Sequence, residues 1–424
     1  MRRKLSELWH SVPKDIRLMS WATSIRWAGW DMIEPLSAVF LFSILHDYGR
    51  AAVVESMAGI TFFLIVPFVG ILADRMSLKK FLIIGLVFFF FGGFTSLSAA
   101  TSLVIFAIVA NIGCGIAIAS DVVGRVTYIR RYAPEERVAT VIGFQNTFLY
   151  SGTLLGACIT LLIADHASFA SIFFWVVPTN LVTLLLFIAF LKKDKPRAVK
   201  KDEMARYSFR EYASVWRDAT SKESGLRLLA FLEFVFWALF SFCTVLIPIY
   251  AFVHGANYQE ITLLYLLANL PQIFSSPFGR MADRWHRALL PIGMLAIAVM
   301  IGSFAMIHSF PFILVGVLVI ETILVLLGLC VENLITSMTE PERYGRVGSV
   351  FEGLKEVGKF TGAIGLGFAV DALGTEPVFI ALAIGTAILG LALWKGPRET
   401  SLSIESDELL LGDELGMVGD IDIP

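Results

Sequence analysis

The segment GILADRMSLKK at 70–80 returns in weaker form as GRMADRWHR at 279–287. Gly70, Ala73, Asp74 and Arg75 align with Gly279, Ala282, Asp283 and Arg284 at a constant offset of 209. Gly152, Gly156, Ala157 and Asp165 align with Gly358, Gly362, Ala363 and Asp371 at an offset of 206. Such a period implies two copies of one unit of about 200 residues. Both copies are mostly apolar, so the unit reads as a set of membrane spans. Parallel repeats of spans place a central pathway at their interface.

Composition excludes a water-soluble chain. It is 57% hydrophobic and only 17% charged, with a mean hydropathy of +0.75, whereas soluble domains carry about 25% charged residues. Runs such as 81–100 have about the 20 residues needed to cross a bilayer. Spans are expected at about 16–46, 52–73, 80–100, 102–129, 137–164 and 168–191, then at about 226–253, 257–282, 288–307, 310–338, 346–371 and 375–395. The expected fold is an all-α integral membrane protein with twelve transmembrane helices in two pseudo-symmetric six-helix halves. The polar, basic first residues and the long first apolar segment do not form a cleavable leader. Cys114, Cys158, Cys243 and Cys330 lie inside spans without metal or disulfide spacing. His46, His166, His254 and His308 fall at the ends of four separate spans. No metal or cofactor is expected.

Charge assigns the sides. Of the 34 Lys and Arg, Arg50 alone falls in an odd-numbered loop, and Arg26, Arg125, Lys355 and Lys359 fall within spans. The other 29 lie at the N-terminus, at the even-numbered loops and at the C-terminus. By the positive-inside rule both termini are expected in the cytoplasm. The expected organisation is a six-helix bundle over 1–191, a basic linker over 192–225, a second bundle over 226–395 and a disordered acidic tail over 396–424. The linker carries Phe209, Tyr212 and Trp216 at helical spacing, which fits either an interfacial helix or a solvated connector.

The loops carry a resemblance. Twelve spans in two halves, the long central loop and the sequence after span 2 resemble the major facilitator superfamily, whose signature there reads G-x-L-A-D-R-x-G-R-K. Gly70, Leu72, Ala73, Asp74 and Arg75 match, whereas Ser77 replaces the second Gly and Leu78 replaces an Arg. The second copy keeps Gly279, Asp283 and Arg284. The resemblance implies a cytoplasmic latch. Its members are Gly70, Asp74, Arg75, Gly279, Asp283 and Arg284, with Asp121 as acidic partner and Arg125 one turn beyond it. The other reading of these charges is simple anchoring at the headgroups.

Charges at membrane depth are expensive and mark pathways or partners. The acids are Asp31, Glu34, Asp121, Glu233, Glu321, Glu332, Glu352 and Glu356; the bases are Arg26, Arg125, Lys355 and Lys359. Arg26, Trp30 and Glu34 recur every four residues and share a face. The resemblance implies that spans 1, 4, 7 and 10 line the cavity. That makes Asp31 and Glu34 the first sites for a proton or a cation, with Arg26 either in the pathway or paired to one of them. Glu321 and Glu332 are eleven residues apart and point the same way. Glu352, Lys355, Glu356 and Lys359 form a stripe of zero net charge that reads as an ion-pair ladder, with Lys359 near mid-span. Trp30, Asn111 and Trp237 complete the candidate substrate and proton pathway.

No phosphate loop, nucleophile elbow or H-E-x-x-H is present, so the chain is not read as an enzyme. A G-x-x-x-G in span 5 is present as Gly152 and Gly156, but Ala157 stands where the antiporter pattern of the resembled family has Pro. The reading is a monomeric secondary transporter of a small-molecule substrate, driven by protons, embedded in the lipid bilayer of the cell membrane and without a nucleic-acid partner. Its first form is an exporter of cationic or amphipathic compounds. A proton-driven importer and a transport-inactive sensor or scaffold remain alternatives.

Overall fold

The computed structural model describes residues 12–132, 138–192, 217, 226–338 and 344–395, and among these there is no strand. The linker and the acidic tail lie outside the described residues, apart from Lys192 and Arg217. Helices α1 (Lys14–Trp30) and α2 (Glu34–Leu45) form one kinked span. The break at 31–33 has a local cause: Pro35 in the first turn of α2 cannot donate a backbone hydrogen bond, so the ladder restarts there. Then come α3 (Tyr48–Arg75), α4 (Leu78–Phe89), α5 (Gly93–Thr101), α6 (Val104–Tyr132) and α7 (Val138–Ile163). The first half closes with α8 (Phe169–Phe174) and α9 (Val176–Phe190).

After residue 226 the chain runs through α10 (Leu226–Ser241), a π-turn at Phe242–Leu246 and α11 (Ile247–Val253). It continues through α12 (Tyr258–Asn269), a 3-10 turn at Leu270–Phe274, α13 (Ser275–Phe304), α14 (Phe310–Ser337), α15 (Tyr344–Leu373) and α16 (Thr375–Lys395). Nine helical stretches among the described residues are long and apolar enough to cross a membrane. The other three expected spans miss for local reasons. The stretch 257–282 is interrupted by the 3-10 turn, and the apolar part of the next is only Ala288–Phe304. Helix α15 carries six charged residues, four of them clustered at 352–359. The loop expected near 283–287 is instead a kink inside α13 at Trp285 (φ −131°, ψ 19°). ADRWHR has neither Gly nor Pro to end the helix there.

The sequence repeat becomes a packing repeat. A Cβ on Gly152 or Gly156 of α7 would lie 2.2 Å from the carbonyl oxygens of Ser24 and Ala28 on α1. A Cβ on Gly358 of α15 would lie 2.4 Å from Phe234 O, and one on Gly362 would lie 2.6 Å from Ala238 Cα, both on α10. The helices touch backbone to backbone, which only glycine permits. Ser24 to Phe234 and Ala28 to Ala238 are themselves an offset of 210.

Two apolar cores organise the molecule. One holds Val12, Met19, Leu78, Tyr128 and Leu191 and is confined to residues 12–191. The other runs through the residues after 226 and also takes in Trp30 to Leu41, Ala51 to Val54 and Ala164 to Val176. The two halves therefore share a core at the end where Leu45, Tyr48 and Ile163 lie, the end poor in Lys and Arg.

Candidate functional site

A cavity of about 670 Å³ opens between α7 on one side and α10, α14 and α15 on the other. Asn146, Thr147, Tyr150 and Ser151 come from α7, and Gln272 and Ile273 from the 3-10 turn after α12. Its charged lining is Glu233, Glu321, Glu332, Glu352, Glu356, Lys355 and Lys359, a formal excess of three negative charges. The Glu332 and Glu352 side chains are 55% and 57% exposed, which places the mouth at the basic end.

The two lysines are not equivalent. Lys355 Nζ lies 2.9 Å from Glu332 Oε1, 2.9 Å from Glu352 Oε1 and 3.4 Å from Glu233 Oε1. It ties α10, α14 and α15 together, so the ladder expected along α15 is only part of its role. Lys359 Nζ donates to Glu356 Oε1 at 2.6 Å. Both ammonium groups lie over the Trp237 ring, at 4.5 Å for Lys359 and 5.7 Å for Lys355. An ammonium over an indole is attracted by the negative face of the ring. Trp237 Nε1 donates to Glu233 Oε1 at 3.1 Å, which fixes the ring in the wall.

Opposite the mouth the halves are sealed. Asp371, near the end of α15, accepts from the Tyr48 amide at 3.0 Å and from the Gly49 amide at 2.6 Å. It caps the start of α3, where exposed N–H groups and the helix dipole favour an anion. Deeper in, the Tyr265 hydroxyl of α12 donates to Asp31 Oδ1 at 2.6 Å, joining the α1–α2 kink to the other half. Phe169 meets Tyr258 at 4.9 Å between ring centroids.

Of the residues expected along the pathway, Trp237, Glu321 and Lys359 line this cavity, whereas Arg26, Trp30, Asp31, Glu34 and Asn111 do not. Arg26 is 1% exposed and pairs with α6, not with a carboxylate of its own span. Its Nη1 donates to Asp121 Oδ1 at 2.7 Å, its Nη2 lies 2.6 Å from Oδ2, and its guanidinium stacks on Phe89 at 4.4 Å. Arg125 Nε donates to Asp121 Oδ2 at 2.6 Å. One buried carboxylate thus holds two buried guanidinium groups. Arg26 and Glu34 share a broad face but lie eight residues, about 12 Å, apart along it. Trp30 and Asn111 are buried at 7% and 6%. Glu34 sits within electrostatic reach of Lys359, at the edge of the site.

Gly70, Asp74 and Arg75 of the expected latch fall at the end of α3 and Asp283 within α13, and their side chains lie outside what the structure describes. A Cβ on Gly279 would meet open space, and Arg284 is exposed, its guanidinium 5.6 Å over Trp285. Two residues escaped the sequence reading. Glu55, just inside span 2, accepts from Ser37 Oγ at 2.6 Å and lies within reach of Glu34. Its position near the span end reads as interfacial. Tyr265 carries no charge and gave no signal.

The cavity walled by two parallel half-repeats can be set against known proteins. The family model described as Major Facilitator Superfamily matches residues 19–274 and 270–410. The chain belongs to this superfamily. It is 22% identical over 333 residues to an uncharacterized MFS-type transporter of Methanocaldococcus jannaschii, covering 76% of this chain and 82% of that protein. Its fold is similar to that of a POT family transporter crystallised with 5-aminolevulinic acid (TM-score 0.74, 14% identity, 90% of this chain and 96% of that one). It is similar also to the nucleoside transporter NupG (0.72, 14%, 90% and 99%) and to a D-xylose-proton symporter (0.70, 15%, 91% and 98%). The protein is a multi-pass membrane transporter of small molecules rather than an enzyme.

Proposed function

We propose that this member of the superfamily is a proton-coupled secondary transporter that exports cationic or amphipathic compounds. Residues 1–191 and 226–395 are the two rocking bundles, and the basic end faces the cytoplasm. The single observation that carries the reading is a cavity with an excess of three carboxylates, open at the basic end while Asp371 and Asp31 hold the opposite end shut. A negative cavity gathers cations from the cytoplasmic side. Alternating access follows if the seal opens as the basic end closes. Asp31 is the first coupling acid in this scheme, since it is a buried carboxyl whose Oδ1 bridges the halves. Glu34 and Glu321 follow it.

The test is reconstitution into liposomes with an imposed pH gradient. Wild type should move an organic cation against its own gradient, and Asp31→Asn should lose that accumulation while keeping downhill exchange. Accumulation that survives Asn or Gln at Asp31, Glu34 and Glu321, each tested alone, sinks the assignment of coupling to these acids. Accumulation of neutral sugars or nucleosides in place of cations sinks the substrate class.

A further inference from the structure

Glu321 stands apart from the other carboxylates of the cavity. It lies in the middle of α14, is 0% exposed, and no nitrogen or oxygen donor among the described residues reaches its oxygens. Its polar neighbour is the Cys243 thiol, a weak donor. Cys243 belongs to the π-turn of the seventh span, a local widening of a helix that recurs at functional sites. Along α14, Glu321 is roughly 16 Å further from the mouth than Glu332, at 1.5 Å per residue.

Every other carboxylate in the wall already has a primary ammonium. Glu233, Glu332 and Glu352 share Lys355, and Glu356 holds Lys359. Both ammonium groups sit against Trp237. The cavity thus satisfies a carboxylate with an ammonium beside an aromatic face, and at Glu321 the described residues supply none. Phe236 and Phe240 line the same wall.

We propose that Glu321 is the seat for the ammonium group of the substrate, a primary or secondary organic amine with an aromatic or apolar body, and that proton and ammonium exclude each other there. This rests on the transport reading above and names its substrate class. A buried carboxylate charge without a partner is costly. The carboxyl therefore gives up its proton when an ammonium arrives to pair with it. In that step the carboxyl O–H bond breaks, the proton passes to water in the cavity, and the ammonium keeps all its N–H bonds. Return of a proton releases the amine. A carboxylate with only a thiol beside it demands stronger donors, so a quaternary ammonium, which has charge but no N–H, is a poor occupant. The difference is roughly ten- to hundredfold in affinity.

Other titratable groups belong to the elements around Glu321. Glu233 and Cys243 come from the seventh span, Tyr265 from α12 and Glu332 from α14 itself. Glu352, Lys355, Glu356 and Lys359 come from α15. Helix α13 meets α14 through Gly293 against Ile323 and Leu327, an apolar contact.

The experiment is calorimetric titration of the purified full-length protein with 2-phenylethylamine, its N,N,N-trimethyl derivative and 2-phenylethanol. Buffers of differing ionisation enthalpy count the protons released. Wild type should bind the primary amine at least tenfold more tightly than the other two, releasing up to one proton. Glu321→Gln should bind the amine at least tenfold more weakly and release none. Glu321→Asp, which keeps the carboxylate, should restore release, and the thermal transition of each variant checks that it is folded. Unchanged affinity and release in a folded Glu321→Gln, equal binding of the trimethyl compound, or no amine binding at millimolar concentration overturns the proposal. No gradient is involved, so the two readings fail separately. Uphill transport without proton release removes only the ammonium seat; release without accumulation removes only the transport reading.

Discussion

Asp371 spans the two backbone amides at the start of α3, accepting from Tyr48 at 3.0 Å and from Gly49 at 2.6 Å. The carboxylate belongs to the second half and the helix to the first, so the bond exists only while the end opposite the mouth is shut. Asp371→Ala should open that end. Hydrogen bonds to a charged group are worth roughly 1.5–3 kcal/mol, about tenfold or more in a two-state population. The readout is a cysteine at Ser151, which lines the cavity. An impermeant thiol reagent applied from outside should label it faster when Asp371 is gone, and equal rates in a folded variant count against the seal.

The glycine contacts predict a sharp contrast in stability. Gly156→Ala drives a Cβ to within 2.2 Å of the Ala28 carbonyl oxygen, and Gly367→Ala brings one to 2.9 Å from Tyr48 O. Overpacking of this kind costs about 1–3 kcal/mol. Gly365 and Gly385 have nothing within 4 Å, so alanine there should be neutral or slightly stabilising through helix propensity. Thermal unfolding of the four variants decides, and equal losses in all of them would remove the close-approach argument.

Much of this architecture was legible in the chain because a glycine repeat is a backbone property. Gly152, Gly156, Gly358 and Gly362 announce contacts that depend on no side-chain rotamer. Polar partnerships were less legible because they depend on which spans pack together. Arg26 and Glu34 share a face but lie about 12 Å apart along it, and the partner that Arg26 takes is Asp121, 95 residues away on another span. Symmetry also misleads at one place. Asp165 aligns with Asp371, yet the α12 start is capped by its own Asn257 in a capping box with Glu260, and Asp165 is exposed.

Asp121 holds two guanidinium groups in the interior of the first half, and its loss should be felt more than the loss of either. Asp121→Asn leaves Arg26 and Arg125 as buried like charges. Removing one partner of a buried pair costs about 3–5 kcal/mol. Arg125→Met leaves a one-to-one pair of Arg26 with Asp121 and should cost less. Thermal stability in detergent should therefore rank wild type, Arg125→Met, Asp121→Asn in falling order. The reverse order for the two variants would contradict the triad.

The sidedness of the chain has a direct test. Thr101 and Ser309 are exposed at the end poor in basic residues, and Lys80 is exposed at the other. Cysteines at 101 and 309 should react with impermeant reagents on intact cells, and one at 80 should react only after permeabilisation. Gly49, Gly255 and Gly374 lie at the same end but are poor choices. A Cβ at 49 meets Phe368 at 2.4 Å, and the others have φ of +95° and +86°. Labelling at 80 on intact cells would overturn the orientation.

The bond between Asp31 and Tyr265 makes the last and most specific prediction, because it joins the expected coupling acid to the moving half. Tyr265→Phe removes the hydroxyl that donates to Asp31 Oδ1 while keeping the ring. With that donor gone the charged form is harder to keep in the membrane interior, so the proton should be released less readily. The pH dependence of gradient-driven transport should then move toward higher pH in Tyr265→Phe. Asp31→Asn should abolish that dependence outright. Once Asp31 is neutral the tyrosine has no proton to govern, so Tyr265→Phe should add no further shift in the double variant. Residues that share one interaction are non-additive in this way. If the Tyr265→Phe profile matches wild type, or the double variant shows the sum of two independent losses, the hydrogen bond holds the halves together without taking part in coupling.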